Sequence, residues 1–203
     1  NTYFYENPIE AGPDRTRWAW HGCPCCPPMF VKIMSALPGS IYVQGPAAVY
    51  VNLFVGSRAD VSVGDTKVSL RQTTRYPWEE VVRLSVDPER DVEWALHLRL
   101  PAWCAEPRLT LNGQPLTAID RVRGYARLQR TWQKGDVVEL SLPMPVQRIK
   151  AHPQVEANVG RVALQRGPLI YCLEAVDNGG HVRNLVIPPA VPLAAQPRAD
   201  LLG

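Results

Sequence analysis

Val92-Glu93-Trp94-Ala95-Leu96-His97-Leu98-Arg99-Leu100 alternates apolar and other residues over its whole length. Successive side chains of a strand point to opposite faces, so Val92, Trp94, Leu96, Leu98 and Leu100 share one apolar face and Glu93, Ala95, His97 and Arg99 share the other. His97 is therefore expected on the sheet surface. The period of two also appears at Val49, Val51, Leu53 and Val55, which alternate with Tyr50, Asn52 and Phe54, and predicts a strand over 49–55.

Turn chemistry separates the strand-like runs at short intervals. Gly64-Asp65, Asn112-Gly113 and Lys134-Gly135-Asp136 read as hairpin connections, since glycine and asparagine tolerate the left-handed backbone that tight turns need. The 20 prolines confine strands to ends and edges, and no helical pattern is long enough for a βαβ crossover. The fold class is mainly β, an antiparallel β-sandwich with one loop and helix, plus part of a second β-sandwich. No repeat at a fixed period and no low-complexity tract points to a solenoid or propeller. A boundary is expected near Pro143-Met144-Pro145 or at His152-Pro153. Beyond it, Gly160 to Glu174 carries two more strand-like runs broken at Gly167-Pro168, and Pro188 to Gly203 is an aperiodic tail.

Bulk composition excludes several functions. The formal charge of +3 over 203 residues is small, and the basic residues are scattered, so nucleic acid is not an expected partner. No stretch approaches the roughly 18 apolar residues of a membrane span. Asn1-Thr2-Tyr3-Phe4 has neither an initiator methionine nor a signal-peptide pattern, and the chain reads as a fragment or processed product. The 5 cysteines are an odd number, and Cys23, Cys25 and Cys26 sit too close together for a conventional disulfide framework. A reducing compartment such as the cytoplasm, or a bound metal, suits them better. Cys104 and Cys172 lie in strand-like contexts and read as small buried hydrophobes.

The cysteine cluster is the candidate for chemistry. It lies in Trp20-His21-Gly22-Cys23-Pro24-Cys25-Cys26-Pro27-Pro28, directly before an amphipathic helix that presents Phe30, Ile33, Met34 and Leu37 on one face and ends at Pro38-Gly39. A thiolate is both a nucleophile and a zinc ligand, and a helix N-terminus favours its charge. A closed zinc site needs four ligands, for which His21 is a candidate by composition, and no CxxC pair of the zinc-ribbon kind is present. The carboxylates Glu79, Glu80, Asp87, Glu89 and Asp91 read as solvated hairpin tips, and Glu156 and Glu174 are no more distinctive. Tyr3, Phe4, Tyr5, Trp18 and Trp20 crowd the approach to the cysteines, as a sugar-binding platform or as sandwich core. No phosphate loop, G-x-S-x-G elbow or Rossmann fingerprint occurs.

Five segments together resemble glycoside hydrolase family 127, the β-L-arabinofuranosidase family. They are Tyr3-Phe4-Tyr5-Glu6-Asn7-Pro8, Cys23-Pro24-Cys25-Cys26-Pro27-Pro28, Tyr50-Val51-Asn52-Leu53-Phe54-Val55-Gly56-Ser57, Leu98-Arg99-Leu100-Pro101-Ala102-Trp103 and Gly160-Arg161-Val162-Ala163-Leu164-Gln165-Arg166-Gly167-Pro168-Leu169-Ile170-Tyr171. The resemblance implies an (α/α)6 barrel followed by two β-sandwiches. On that scheme residues 1–20 are strand and linker of the first sandwich, 21–38 the cysteine loop and helix of the barrel, 39–150 a β-sandwich, and 151–203 a partial second sandwich with its tail. It further implies that Cys25 is the nucleophile of a retaining mechanism, that Cys25 and Cys26 are zinc ligands, and that the substrate is a β-L-arabinofuranoside or related plant glycan. The family's Glu-x-Cys ligands and acid/base glutamate have no counterpart here, so the isolated chain is expected to be inactive. Met29 stands where the family often has asparagine, which allows a different sugar. Homo-oligomerisation is compatible with this reading. Two other readings are a non-catalytic carbohydrate-binding or interaction sandwich with structural cysteines, and a redox protein using Cys23 and Cys25.

Overall fold

The computed structural model describes residues 2–5, 16–20, 22–23, 25–196 and 198. Helix α1 (Cys26–Ala36) and the single-turn α2 (Pro38–Ile41) precede the strands. These are β1 (Tyr42–Gly45), β2 (Ala48–Val51), β3 (Ser57–Val63), β4 (Thr66–Thr74), β5 (Val81–Pro88), β6 (Val92–Arg99), β7 (Arg108–Leu111) and β8 (Gln114–Pro115). They continue as β9 (Asp120–Val122), β10 (Tyr125–Trp132), β11 (Asp136–Ser141), β12 (Val146–Ile149), β13 (Ala163–Arg166) and β14 (Leu169–Tyr171). The chain divides into two compact units. One holds the described residues up to Ile33 with Val146–Arg166 and those from Ile170 onward, and the other holds Met34–Pro145 with Gly167–Leu169.

The second unit is the sandwich. Its five-stranded sheet has the order β1-β2-β6-β10-β9, and its six-stranded sheet the order β3-β4-β5-β11-β7-β8. Pairing is antiparallel except between β2 and β6, which run parallel. The core lies between the two sheets and is built by the predicted alternation. Trp94, Leu96 and Leu98 from β6 meet Val49, Val51, Ala126, Leu128 and Trp132 from its sheet neighbours, and Val68, Leu70, Leu84, Val86, Val138 and Leu140 from the opposite sheet. Trp94 and Trp132 are fully buried with ring centroids 5.4 Å apart, and the Trp132 indole N–H donates to the Trp94 carbonyl at 3.1 Å. Burying apolar area on this scale is the main favourable contribution to folding.

Two turns form as the sequence indicates. Asn112 and Gly113 have φ of 51° and 78° and join β7 to β8 with Leu111 opposite Gln114, as a mirror-type two-residue turn requires. Gly64 and Asp65 close the β3–β4 hairpin, with Val63 opposite Thr66. Gly167-Pro168 separates β13 from β14 within the three-stranded sheet β12-β13-β14.

Four expectations are corrected. Lys134-Gly135 does not close a hairpin: it carries the chain from β10 in one sheet to β11 in the other. The strand expected over 49–55 stops at Val51. There the chain leaves the five-stranded sheet for β3, and the alternation breaks with Phe54 buried and Val55 exposed. Pro38-Gly39 does not end helical structure. Pro38 lacks an N–H and interrupts the α1 ladder, but its fixed φ suits a first helical turn, and α2 begins there. His97 is not on an open surface. It is 6 % exposed, because Tyr50 on β2 and Tyr125 on β10 enclose it on the outer face of the sheet.

Candidate active site

The cysteine loop sits at the start of α1. Cys26 is the first helical residue and Cys25 the last before it, so Cys25 stands at the helix N-terminus, the end whose free backbone N–H groups and dipole favour negative charge. The backbone N–H of Cys25 donates to the Cys23 carbonyl at 2.9 Å, which tightens the loop and turns consecutive cysteines toward each other. Cys25 Sγ and Cys26 Sγ are 3.6 Å apart, and Cys23, Cys25 and Cys26 are all exposed. His21 and Pro24 lie outside the described residues.

A second segment completes the surroundings of Cys25. Tyr3 and Trp18 form an antiparallel bridge, Tyr3 N–H to Trp18 O at 2.9 Å and Trp18 N–H to Tyr3 O at 2.7 Å. Tyr5 then stacks on Trp18 with an interplanar angle of 8° and centroids 6.2 Å apart, which sets its hydroxyl 3.7 Å from Cys25 Sγ. The intervening Phe4 lies under the Arg17 guanidinium, 5.5 Å from Cζ to ring centroid. Arg17 in turn pairs with Glu174 and with Asp177, at 2.5 Å for the latter. Tyr5 is the site residue that inspection of the cysteine loop alone misses. Its signal was the aromatic cluster, but it stands twenty positions before Cys25, and among the described residues the Tyr3–Trp18 bridge and the Tyr5–Trp18 stack tie its segment to the one that leads into the cysteine loop.

The electrostatics favour ionised sulfur. The Cys25 thiol is held below its ordinary range, first by the Tyr5 hydroxyl and then by the Cys26 and Cys23 side chains. Tyr5 is pushed up in turn, chiefly by its hydrogen bonds to Cys26 and Cys25. A phenol that keeps its proton and donates it to sulfur stabilises the thiolate form.

The donor pair also suits zinc. Zinc–thiolate bonds of about 2.3 Å at a tetrahedral angle put two sulfurs roughly 3.8 Å apart, close to the 3.6 Å between Cys25 and Cys26. They supply two of four donors, and among the described residues no group of three or more His, Cys, Asp or Glu is gathered for a metal.

The other candidates take structural places. Glu79 pairs with Arg75 at 3.3 Å, and Glu80 accepts the Met144 N–H at 2.9 Å. Asp87 accepts the Gly135 N–H at 2.9 Å, and Asp91 accepts from Gln133 at 2.8 Å. Cys104 is buried, as expected; its thiol is pushed up by burial. Cys172 is exposed, contrary to expectation, because it follows the short β14 rather than lying inside the sandwich. Phe30, Ile33 and Met34 on α1 are 64 %, 59 % and 50 % exposed, and the helix has no buried residue. Trp20 is 70 % exposed and Tyr3 and Trp18 are also exposed, so these three are not sandwich core. No helix is long and apolar enough to cross a membrane.

Residues 48–144 match the family model described as β-L-arabinofuranosidase, GH127 middle domain, and residues 146–198 match the glycoside hydrolase family 127 C-terminal domain. The chain is 31% identical over 224 residues to a non-reducing end β-L-arabinofuranosidase of Bifidobacterium longum subsp. longum, covering 99% of this chain and 33% of that protein. Among solved structures it resembles a GH127 β-L-arabinofuranosidase from Geobacillus stearothermophilus T6, with a TM-score of 0.90 and 44% identity over 98% of this chain and 33% of that one. A second GH127 β-arabinofuranosidase matches with a TM-score of 0.78 and 35% identity, over 87% of this chain and 30% of that one. The chain thus spans about a third of the length of the relatives it matches.

Proposed function

The chain belongs to glycoside hydrolase family 127, and we propose on that premise that it carries the nucleophile of a retaining glycosidase acting on β-L-arabinofuranosides or related plant glycans. The observation that supports this reading is the setting of Cys25. Its sulfur stands at the head of α1, 3.7 Å from the Tyr5 hydroxyl and 3.6 Å from Cys26 Sγ, with its ionised form favoured by both.

In the proposed reaction the Cys25 thiolate attacks the anomeric carbon as the aglycone departs, forming an S-glycosyl intermediate. Water then releases the sugar and restores the thiolate, and two inversions leave the anomeric configuration retained. Cys25 and Cys26 would hold zinc, which keeps coordinated thiols deprotonated at neutral pH. Tyr5 orients the sulfur and holds its proton on oxygen. The remaining zinc ligands and the acid/base that protonates the leaving group come from outside these residues, so the isolated chain is proposed to be inactive.

The test is Cys25→Ala in a protein extended to the length of the relatives. Turnover is expected to vanish while sugar binding is largely kept. Normal turnover in that variant, or arabinofuranoside cleavage by the 203-residue chain alone, overturns the corresponding part of the reading.

A further inference from the structure

Three segments far apart in the chain meet at Arg17. With Tyr3 opposite Trp18 in the antiparallel bridge, the next pair along it is Phe4 with Arg17, and neighbouring side chains point to opposite faces. One face carries the Tyr5–Trp18 stack and the hydroxyl that reaches Cys25, and the other carries Phe4 under the Arg17 guanidinium. Among the described residues up to Trp20 none is buried, so no apolar core fixes this bridge. The backbone pairing, the ring contacts and Arg17 set its placement.

The far end of Arg17 is held by the turn that follows β14. Ala175–Asp177 is a 3-10 turn, with the Asp177 N–H donating to Glu174 O at 3.1 Å and Asn178 Nδ2 donating to the same carbonyl at 2.8 Å. A turn of this pitch brings positions three apart to one side, which sets the Glu174 and Asp177 carboxylates next to each other. Two neighbouring carboxylates repel unless a cation lies between them, and Arg17 supplies it. Its Nη1 donates to Asp177 Oδ1 at 3.2 Å and its Nη2 to Asp177 Oδ2 at 2.5 Å, and Nη2 also donates to Glu174. A forked pair fixes orientation as well as distance. The guanidinium holds the Asp177 carboxyl below its ordinary range. Both acidic residues lie in the stretch that matches the C-terminal domain of the family.

We propose that Arg17, Glu174 and Asp177 are positioning residues for the nucleophile, through which the C-terminal domain holds Phe4 and hence sets the Tyr5 hydroxyl against the Cys25 sulfur. The effect on turnover rests on the reading of Cys25 as nucleophile. The mechanical link from Asp177 to Tyr5 rests on the contacts alone.

In a protein extended to the length of the relatives, Arg17→Gln is expected to lower kcat about ten-fold with KM within about two-fold, because a displaced nucleophile slows chemistry without removing contacts to the sugar. The Glu174→Gln/Asp177→Asn variant, which leaves Arg17 in place, is expected to give the same split. Tyr5→Phe is expected to cost at least as much, and adding Arg17→Gln to it should cost less than about two-fold more, because Arg17 acts through that hydroxyl. In the 203-residue chain, Arg17→Gln is expected to shift the backbone amide resonances of residues 3–5 and 25–26 while those of β6 stay in place, a readout that needs no turnover. Full kcat in both the Arg17 and the carboxylate variants, multiplying losses in the combined Tyr5 variant, or unmoved amides at 25–26 overturns the proposal. If Cys25→Ala keeps turnover, the nucleophile reading fails by itself, and the amide shifts still decide the link.

Discussion

The Tyr50 ring lies over the His97 imidazole at 4.2 Å between centroids and 19° between planes, the two residues being direct partners across the parallel strands β2 and β6. Tyr125 closes the third side edge-on, 5.4 Å from Tyr50, and its hydroxyl donates to Asn52 at 2.8 Å. Burial, and secondarily Arg127 opposite on β10, hold the imidazole below its ordinary value, with Asp120 pulling weakly the other way.

Because that value is depressed, the folded chain binds fewer protons at this site than the unfolded chain. The resulting stability is complete above the unfolded value near 6.5 and declines as pH falls below it toward the folded value. Denaturant melts between pH 7 and pH 5 are expected to show stability falling as pH is lowered, and His97→Phe is expected to flatten that slope. An unchanged slope in the variant rejects the assignment to His97.

Leu96 is fully buried at the centre of β6, whereas Cys172 is exposed. Leu96→Ala is expected to cost about 3 kcal/mol by leaving a cavity in a packed core. Cys172→Ala should stay within about 0.5 kcal/mol. Chemical denaturation of both variants measures the difference, and comparable costs contradict the burial assignment.

Gly167 has φ of 56°, and a Cβ there would meet the Met144 sulfur at 2.7 Å and its Cγ at 2.9 Å. Gly113 has φ of 78° with open space around it. Gly113→Ala therefore carries only the backbone penalty, about 1 kcal/mol, while Gly167→Ala adds displacement of a buried side chain. Thermal melts should rank Gly167→Ala as clearly the more destabilising, and the reverse order rejects the clash.

In the metal-free chain, Tyr5→Phe removes the hydrogen bond that contributes most to lowering the Cys25 thiol. The charged form loses support, so the pH midpoint for alkylation of Cys25 by iodoacetamide, followed by mass spectrometry, should move upward. A midpoint that stays put or falls removes Tyr5 from the site.

The strands, two of the three turns and the cysteine loop were legible because each depends on neighbours along the chain. Alternation at Val92–Leu100, left-handed tolerance at Asn112-Gly113, and Cys25-Cys26 ahead of Pro27-Pro28 are properties of short segments. Reading failed wherever an outcome depended on a distant partner. The polar face of β6 is buried at His97 because aromatic residues from β2 and β10 enclose it, and periodicity along β6 does not report them.

The amino-acid sequence by itself determined that this protein is a β-sandwich with a thiol loop at a helix start, since backbone period and turn chemistry act within a few residues. Tertiary structure alone decided that Lys134-Gly135 crosses between sheets, that Tyr5 reaches Cys25 across twenty positions, and that Arg17 pairs with Glu174 and Asp177. Those three facts are pairings between remote segments, and which segments pair depends on how the whole chain buries its apolar surface.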